Sequence, residues 1–238
     1  MLKHILLLLM ALQVFFCAEA EKVIISGPIS EKEYMDRTDI EEVWIEDGCG
    51  VTEIPDYAFL GCSSLRKVTL PRSVRKIGFQ AFSECASLEE IAFPDSLQDI
   101  ESNSFAYCSR LADVRFPYGL KHIGHNAFSF CSSLKAVWLP DSVEEIESYA
   151  FSDCASLREA RLPASDRMLG ELIFNCCPEL SLIVEPSVKV PVFDCDSFIF
   201  DPDDSEAYRR CVLKVPACSA GVYRSSPSWS LFLQIDSY

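Results

Sequence analysis

The stretch Asn126–Pro140 reads NAFSFCSSLKAVWLP. Phe128, Cys131 and Leu134 lead into an alternating Val137-x-Leu139 and a closing Pro140. Read alone, Cys131 could be a thiol, a ligand or half of a disulfide. Steps of 23 residues recover the same phrase: DYAFLGCSSLRKVTLP from Asp56, FQAFSECASLEEIAFP from Phe79, SNSFAYCSRLADVRFP from Ser102, SYAFSDCASLREARLP from Ser148 and ELIFNCCPELSLIVEP from Glu171. Phe recurs at 59, 82, 105, 128, 151 and 174, and Cys at 62, 85, 108, 131, 154 and 177. Leu recurs at 65, 88, 111, 134, 157 and 180, and Pro at 71, 94, 117, 140, 163 and 186. A fixed period of this length marks a solenoid, because one unit cannot bury its apolar side alone.

Within a unit, Leu65, Val68 and Leu70 form L-x-x-V-x-L. This predicts one short strand with Val68 and Leu70 inward and Lys67 and Thr69 outward. Pro71 ends it, since it has no N–H to donate. Ile54, Ile77, Ile100, Ile123 and Ile146 make a second apolar column, so the chain turns inward again on the opposite wall, and Gly78 and Gly124 suit a turn there. The fold expected is a right-handed β-rich solenoid of 23-residue repeats with terminal caps. Stacked units place like residues over like, so the six Cys form a ladder. Buried thiols behave as small apolar residues. Parallel Cβ vectors suit an S–S torsion poorly. No His accompanies the ladder and no C-x-x-C occurs, which argues against metal. The ladder is therefore read as structural thiols.

The chain has 238 residues, enough for a sizeable core, and a formal net charge of −15. Excess acid repels phosphate backbones, which argues against a nucleic-acid partner. The first 22 residues read MLKHILLLLMALQVFFCAEAEK. Lys3 and His4 precede an apolar run from Ile5 to Cys17, and Ala18 and Ala20 occupy the small positions before Glu21. This pattern is that of a secretory signal peptide over 1–20. Acylation of Cys17 is the competing reading, and Phe16 stands where a lipobox wants a small residue. No later stretch is apolar enough for a membrane span. The mature chain is expected outside the cytoplasm, as a secreted, cell-surface or periplasmic monomer.

Ile123–Val143, IGHNAFSFCSSLKAVWLPDSV, resembles the BspA-like (Treponema-type) leucine-rich repeat nearly throughout, and the resemblance covers about residues 40 to 186. The segment Cys211–Ile235 resembles the terminal piece of many secreted bacterial members. Val215, Pro216, Ser219, Tyr223, Trp229, Phe232 and Ile235 fall in register, and Cys218 stands where the family has Gly. The division expected is a signal peptide at 1–20, an N-terminal cap and half repeat at 21–50, repeats at 51–186, and an atypical repeat with cap at 187–238. SEKEYMDR, from Ser30, reads as a short capping helix, and residues 187–210 as a stretched unit with an acidic loop at Asp201–Asp204. The resemblance implies a surface or secreted binding protein, some relatives adhering to host matrix proteins.

Little in the sequence speaks for catalysis. There is no G-x-S-x-G, P-loop or H-E-x-x-H. His122 and His125 form one H-x-x-H pair, read as exposed polar residues because the pattern aims no nucleophile or third ligand at them. No cofactor or metal is called for, and the chain is read as a non-enzyme. The outward strand positions carry Trp44, Arg115, Trp138 and Arg161, residue types enriched at binding hot spots. These four are expected to line one continuous sheet face and to bind a protein (host or envelope) or a glycan. Arg115, Trp138 and Arg161 would stack about 5 Å apart as a cation–aromatic–cation stripe. A structural envelope component, or an enzyme built around His122, His125 and the acidic tail loop, are the alternatives. Five Cys lie off the ladder after residue 20 (Cys49, Cys176, Cys195, Cys211 and Cys218), and in an oxidising compartment some could pair. Eleven Cys follow residue 20, so at least one thiol must stay free or bridge between chains.

Overall fold

The computed structural model describes residues 21–164, 168–189 and 198–238. The signal-peptide reading, Cys17 and Cys195 lie outside the described residues. Each 23-residue unit forms one coil of a parallel β-solenoid. The L-x-x-V-x-L segments make strands such as Lys67–Thr69, Glu90–Ala92, Ala136–Trp138, Glu159–Arg161 and Leu182–Val184. Their registers are in phase: Val43 pairs with Val68 and Val68 with Ile91, while Val137 pairs with Ala160 and Ala160 with Ile183. These inward residues are buried.

The Ile column adds a second strand to each coil. Glu53–Ile54, Lys76–Ile77, Asp99–Ile100, His122–Ile123, Glu145–Ile146 and Met168–Leu169 form a six-stranded parallel sheet on the opposite wall. Gly124 is needed there for proximity rather than for an unusual φ. A Cβ on it would lie 2.5 Å from the amide nitrogen of Ser102 in the preceding coil.

Between the walls runs a spine of stacked rings. Tyr34, Phe59, Phe82, Phe105, Phe128, Phe151 and Phe174 follow one another at centroid distances of 5.1, 5.2, 5.3, 5.1, 5.4 and 5.8 Å. Beside it lies the thiol ladder. Each Sγ–H donates to the carbonyl oxygen of the spine residue one coil back: Cys62 to Tyr34 at 3.0 Å, Cys85 to Phe59, Cys108 to Phe82, Cys131 to Phe105 and Cys177 to Phe151 each at 3.2 Å, and Cys154 to Phe128 at 3.3 Å. A small apolar side chain with one weak donor suits a buried slot facing a carbonyl whose second lone pair remains after it accepts a backbone amide, as Phe105 O does from Cys108. The thiols of all six ladder positions are free, as are those of Cys49, Cys176, Cys211 and Cys218.

Two rows of left-handed residues turn the chain around the spine. One holds Tyr57, Gln80, Asn103, Asn126, Tyr149 and Leu172. The other holds Asp36, Gly61, Glu84, Tyr107, Phe130, Asp153 and Cys176. Their amides donate across coils, as Tyr107 does to Ser129 and Phe130 to Ser152, both at 2.9 Å.

Ser30–Arg37 is not the expected helix but a divergent coil. Lys32 and Asp36 adopt φ of 59° and 58°, which a continuous α-helix excludes. Tyr34 takes the spine position, and its amide donates to Ala58 O at 3.0 Å. Strand Glu21–Ile25 pairs in parallel with Ile40–Ile45 and continues the stack. At the other end, strands Val212–Val215 and Gln234–Ser237 extend the sheet past Leu182–Val184. Helix Ala220–Ser225 and the buried Tyr223, Trp229 and Phe232 close the core. Cys218 forms its turn without a positive φ, so Gly is not required there. Asp204 Oδ1 accepts from the amide of Ala207 at 3.0 Å and caps helix Ser205–Arg210, which gives the acidic loop a structural task.

Candidate binding face

The L-x-x-V-x-L wall is not one continuous sheet. It divides into a four-stranded and a five-stranded sheet on either side of residues 113–115, which form no strand. No backbone hydrogen bond joins Asp113, Val114 or Arg115 to a neighbouring coil. The break coincides with the two coils that carry Phe93 and Phe116 where other coils carry Leu70, Leu139 or Leu162. Both rings turn edge-on to the spine, Phe93 at 5.6 Å from Phe105 and Phe116 at 5.5 Å from Phe128. A phenyl ring is larger than a Leu side chain, while the spine spacing through these coils stays at 5.3 and 5.1 Å, so any effect of the rings is confined to the strand wall.

This break corrects the expected stripe. Arg161 and Trp138 are register partners on adjacent strands. Arg115 occupies the next coil but pairs with neither neighbouring strand. It is exposed and lines a groove of about 680 Å³ with Lys67, Thr69, Glu90, Phe93 and Asp113. Trp44 lies beyond the break in the four-stranded sheet, beside Ile24 and Thr69. Nor does Arg161 stack on Trp138. Its guanidinium turns to the coil corner, donating to Leu139 O at 2.8 Å and to Asp141 Oδ1 at 2.9 Å. Among the described residues, the cations over ring faces are Lys22 on Trp44, 4.7 Å from the centroid, and Lys32 on Tyr57.

Trp138 is 52% exposed and Trp44 49%. Trp138 borders a groove of about 370 Å³ with Phe116, Tyr118, Pro140 and the Arg161–Asp141 pair. Sequence reasoning missed Tyr118, which is 89% exposed in the turn after Pro117. It also missed the cross-coil ion pairs of the four-stranded half. Lys22 meets Glu42 at 3.7 Å and Lys67 meets Glu90 at 2.6 Å. The hydrogen bond from Lys67 holds the Glu90 carboxyl below its usual range and in turn raises the Lys67 ammonium. Their signal was present as alternating charge along one column: Lys22, Glu42, Lys67, Glu90.

The H-x-x-H pair is absorbed into coil packing. His122 Nε2 lies 3.0 Å from Glu147 Oε1, and Glu147 Oε2 accepts the amide of His125 at 2.7 Å. His122 is thus partly buried on a carboxylate rather than freely exposed. Among the described residues, no group of three His, Cys, Asp or Glu could hold a metal ion, and no helix is long and apolar enough to cross a membrane.

Six copies of the BspA type leucine-rich repeat region match this chain, over residues 28–137 and 52–181. The chain belongs to the BspA-type leucine-rich repeat family. The match begins at residue 28, just ahead of the Ser30–Arg37 coil, and so includes Tyr34 of the spine. The BspA-type coils resemble the leucine-rich repeat protein of T. pallidum, with 42% identity, a TM-score of 0.58, and coverage of 61% of this chain and 71% of that one. A leucine-rich repeat protein from Bacteroides ovatus shares the fold at 18% identity and a TM-score of 0.51, covering 91% of this chain and 69% of that one. No curated protein matches the chain. A BspA-type repeat stack is an interaction scaffold: its coils present long rows of outward side chains on a rigid core.

Proposed function

We propose that this protein is a secreted or surface-displayed, non-enzymatic module of adhesion type, which binds a protein or glycan through its strand face. The observation that carries this reading is Trp138. Its indole stands half exposed on a rigid strand beside Tyr118 and a shallow groove. A large ring held in the open contributes contact area at little entropic cost, which is why Trp and Tyr dominate hot spots. Arg161 supports the site by clamping the Leu139–Asp141 corner, and Arg115 in the sheet break and Trp44 beyond it serve as outlying contacts. The leader-like sequence of residues 1–20 supports an extracellular destination.

The test is binding of the chain from Glu21 onward to a panel of purified host-matrix proteins, envelope proteins and glycans. Trp138→Ala should leave folding intact and weaken at least one captured partner by more than tenfold. Equal binding of every captured partner by wild type and variant would remove the strand face from consideration.

A further inference from the structure

The left-handed row between the Phe and Cys columns carries side chains that its backbone does not favour. Tyr107 and Phe130 adopt φ of 63° and 59°. Gly, Asn and Asp tolerate that region, whereas a bulky ring is a steric outlier in it. Nothing in core packing demands the rings. Tyr107 is 49% and Phe130 40% exposed, and they stack on each other with centroids 4.6 Å apart and planes 6° from parallel. Strained, exposed side chains of this kind concentrate at functional sites.

The pair borders a groove of about 710 Å³ that includes Ala86, Ser109 and Ser132, room for one or two side chains of a ligand. Along the row, Glu84 precedes the rings and Asp153 follows them, each one coil away. No Lys or Arg occupies this row. In the adjoining turns, Lys32 sits over Tyr57 and Arg110 is held by Glu89. The ridge therefore carries carboxylate, ring, ring and carboxylate in line on a chain of net charge −15, Glu84 exposed and Asp153 half-buried with its Oδ2 accepting from Ser152 Oγ at 2.8 Å. Ring faces and carboxylates both attract cations, and the surrounding charge would repel an anionic ligand.

We propose that the Glu84–Tyr107–Phe130–Asp153 ridge is a second docking site, separate from the strand face, for an extended cationic peptide segment whose Lys or Arg side chains lie over the rings and against the flanking carboxylates. The inference does not depend on the strand-face reading.

The probe is a labelled synthetic peptide of alternating Lys and Leu, titrated by fluorescence anisotropy, with its Glu/Leu counterpart as control. Wild type should bind the basic peptide, and binding should weaken as salt rises. Tyr107→Asn with Phe130→Asn should reduce affinity more than tenfold without loss of thermal stability, because Asn suits the left-handed slot better than a ring. Glu84→Gln with Asp153→Asn should weaken binding and flatten its salt dependence. Trp138→Ala should leave this binding unchanged, which separates the two sites. The proposal is overturned if the ridge variants bind the basic peptide as wild type does, or if the acidic peptide binds equally well. It is also overturned if the ridge holds a neutral oligosaccharide in preference to the basic peptide, or if sedimentation shows a dimer that the Asn variants dissolve.

Discussion

The thiol of Cys131 donates to the carbonyl oxygen of Phe105, 26 residues earlier, across 3.2 Å. Side chain and backbone of adjacent coils are thus tied inside the core, and the tie recurs along the ladder. Cys131→Ala removes the donor and leaves a small cavity, with an expected cost of about 1–2 kcal/mol. Cys131→Asp should cost more, through a buried charge without a partner. Urea unfolding midpoints of the two variants measure the difference.

Burial pushes the Cys131 thiol up to about 12 and the Cys62 thiol up to about 11 from an ordinary value of 9.0. Such thiols stay protonated when folded, whereas the unfolded chain releases those protons above its lower, ordinary value. The unfolded state then binds fewer protons, so stability is intact below about pH 9 and falls as pH rises toward 12, by about 1.4 kcal/mol per unit for each fully shifted thiol. Melting temperatures recorded across that window should decline steadily. At neutral pH an alkylating reagent should label exposed Cys176 and Cys218 at once, and the ladder thiols only after denaturation. Mass spectrometry linking Cys108 to Cys131 would contradict the ladder reading.

Arg161 and Arg115 look equivalent in the repeat pattern but differ in their partners. Arg161→Ala loses the bonds to Leu139 O and Asp141, with an expected cost of about 0.5–1.5 kcal/mol. Arg115→Ala, on the exposed lip of its groove, should stay within about 0.5 kcal/mol of wild type. Paired denaturation curves decide the matter, and equal losses would mean that the corner clamp is not made in solution.

Deleting residues 126–148 removes one whole coil and leaves every column in register. Deleting residues 126–136 shifts the Phe, Cys and Leu columns against one another. The first variant should keep a cooperative transition and a strand-rich circular dichroism spectrum. The second should lose both. Matching loss from the two deletions would argue against modular stacking.

The double variant Phe93→Leu, Phe116→Leu restores the residue that other coils place at the end of the strand. The strand wall should then close to ladder distance, and the amides of residues 113–115 should become protected in hydrogen exchange. Unchanged exchange would show that ring size does not cause the break.

The 23-residue columns were enough, without coordinates, to place Phe59, Cys62, Leu65 and Val68 in the core and to read the coil as a solenoid. Each column is a local signal repeated in register, and parallel stacking turns sequence period directly into spatial neighbourhood. The thiol ladder was legible for the same reason. The second sheet was legible only as an inward column, since two residues such as His122 and Ile123 carry too little pattern to announce a strand. Ser30–Arg37 misled because its composition suits a helix start, whereas contact with the next coil holds Lys32 and Asp36 left-handed. The break at Asp113–Arg115, the turning of Arg161 onto Asp141, and the stacking of Tyr107 on Phe130 belonged to tertiary structure alone. They depend on ring volume, side-chain reach and the distance between coils, quantities set when the units pack against one another rather than within any one of them.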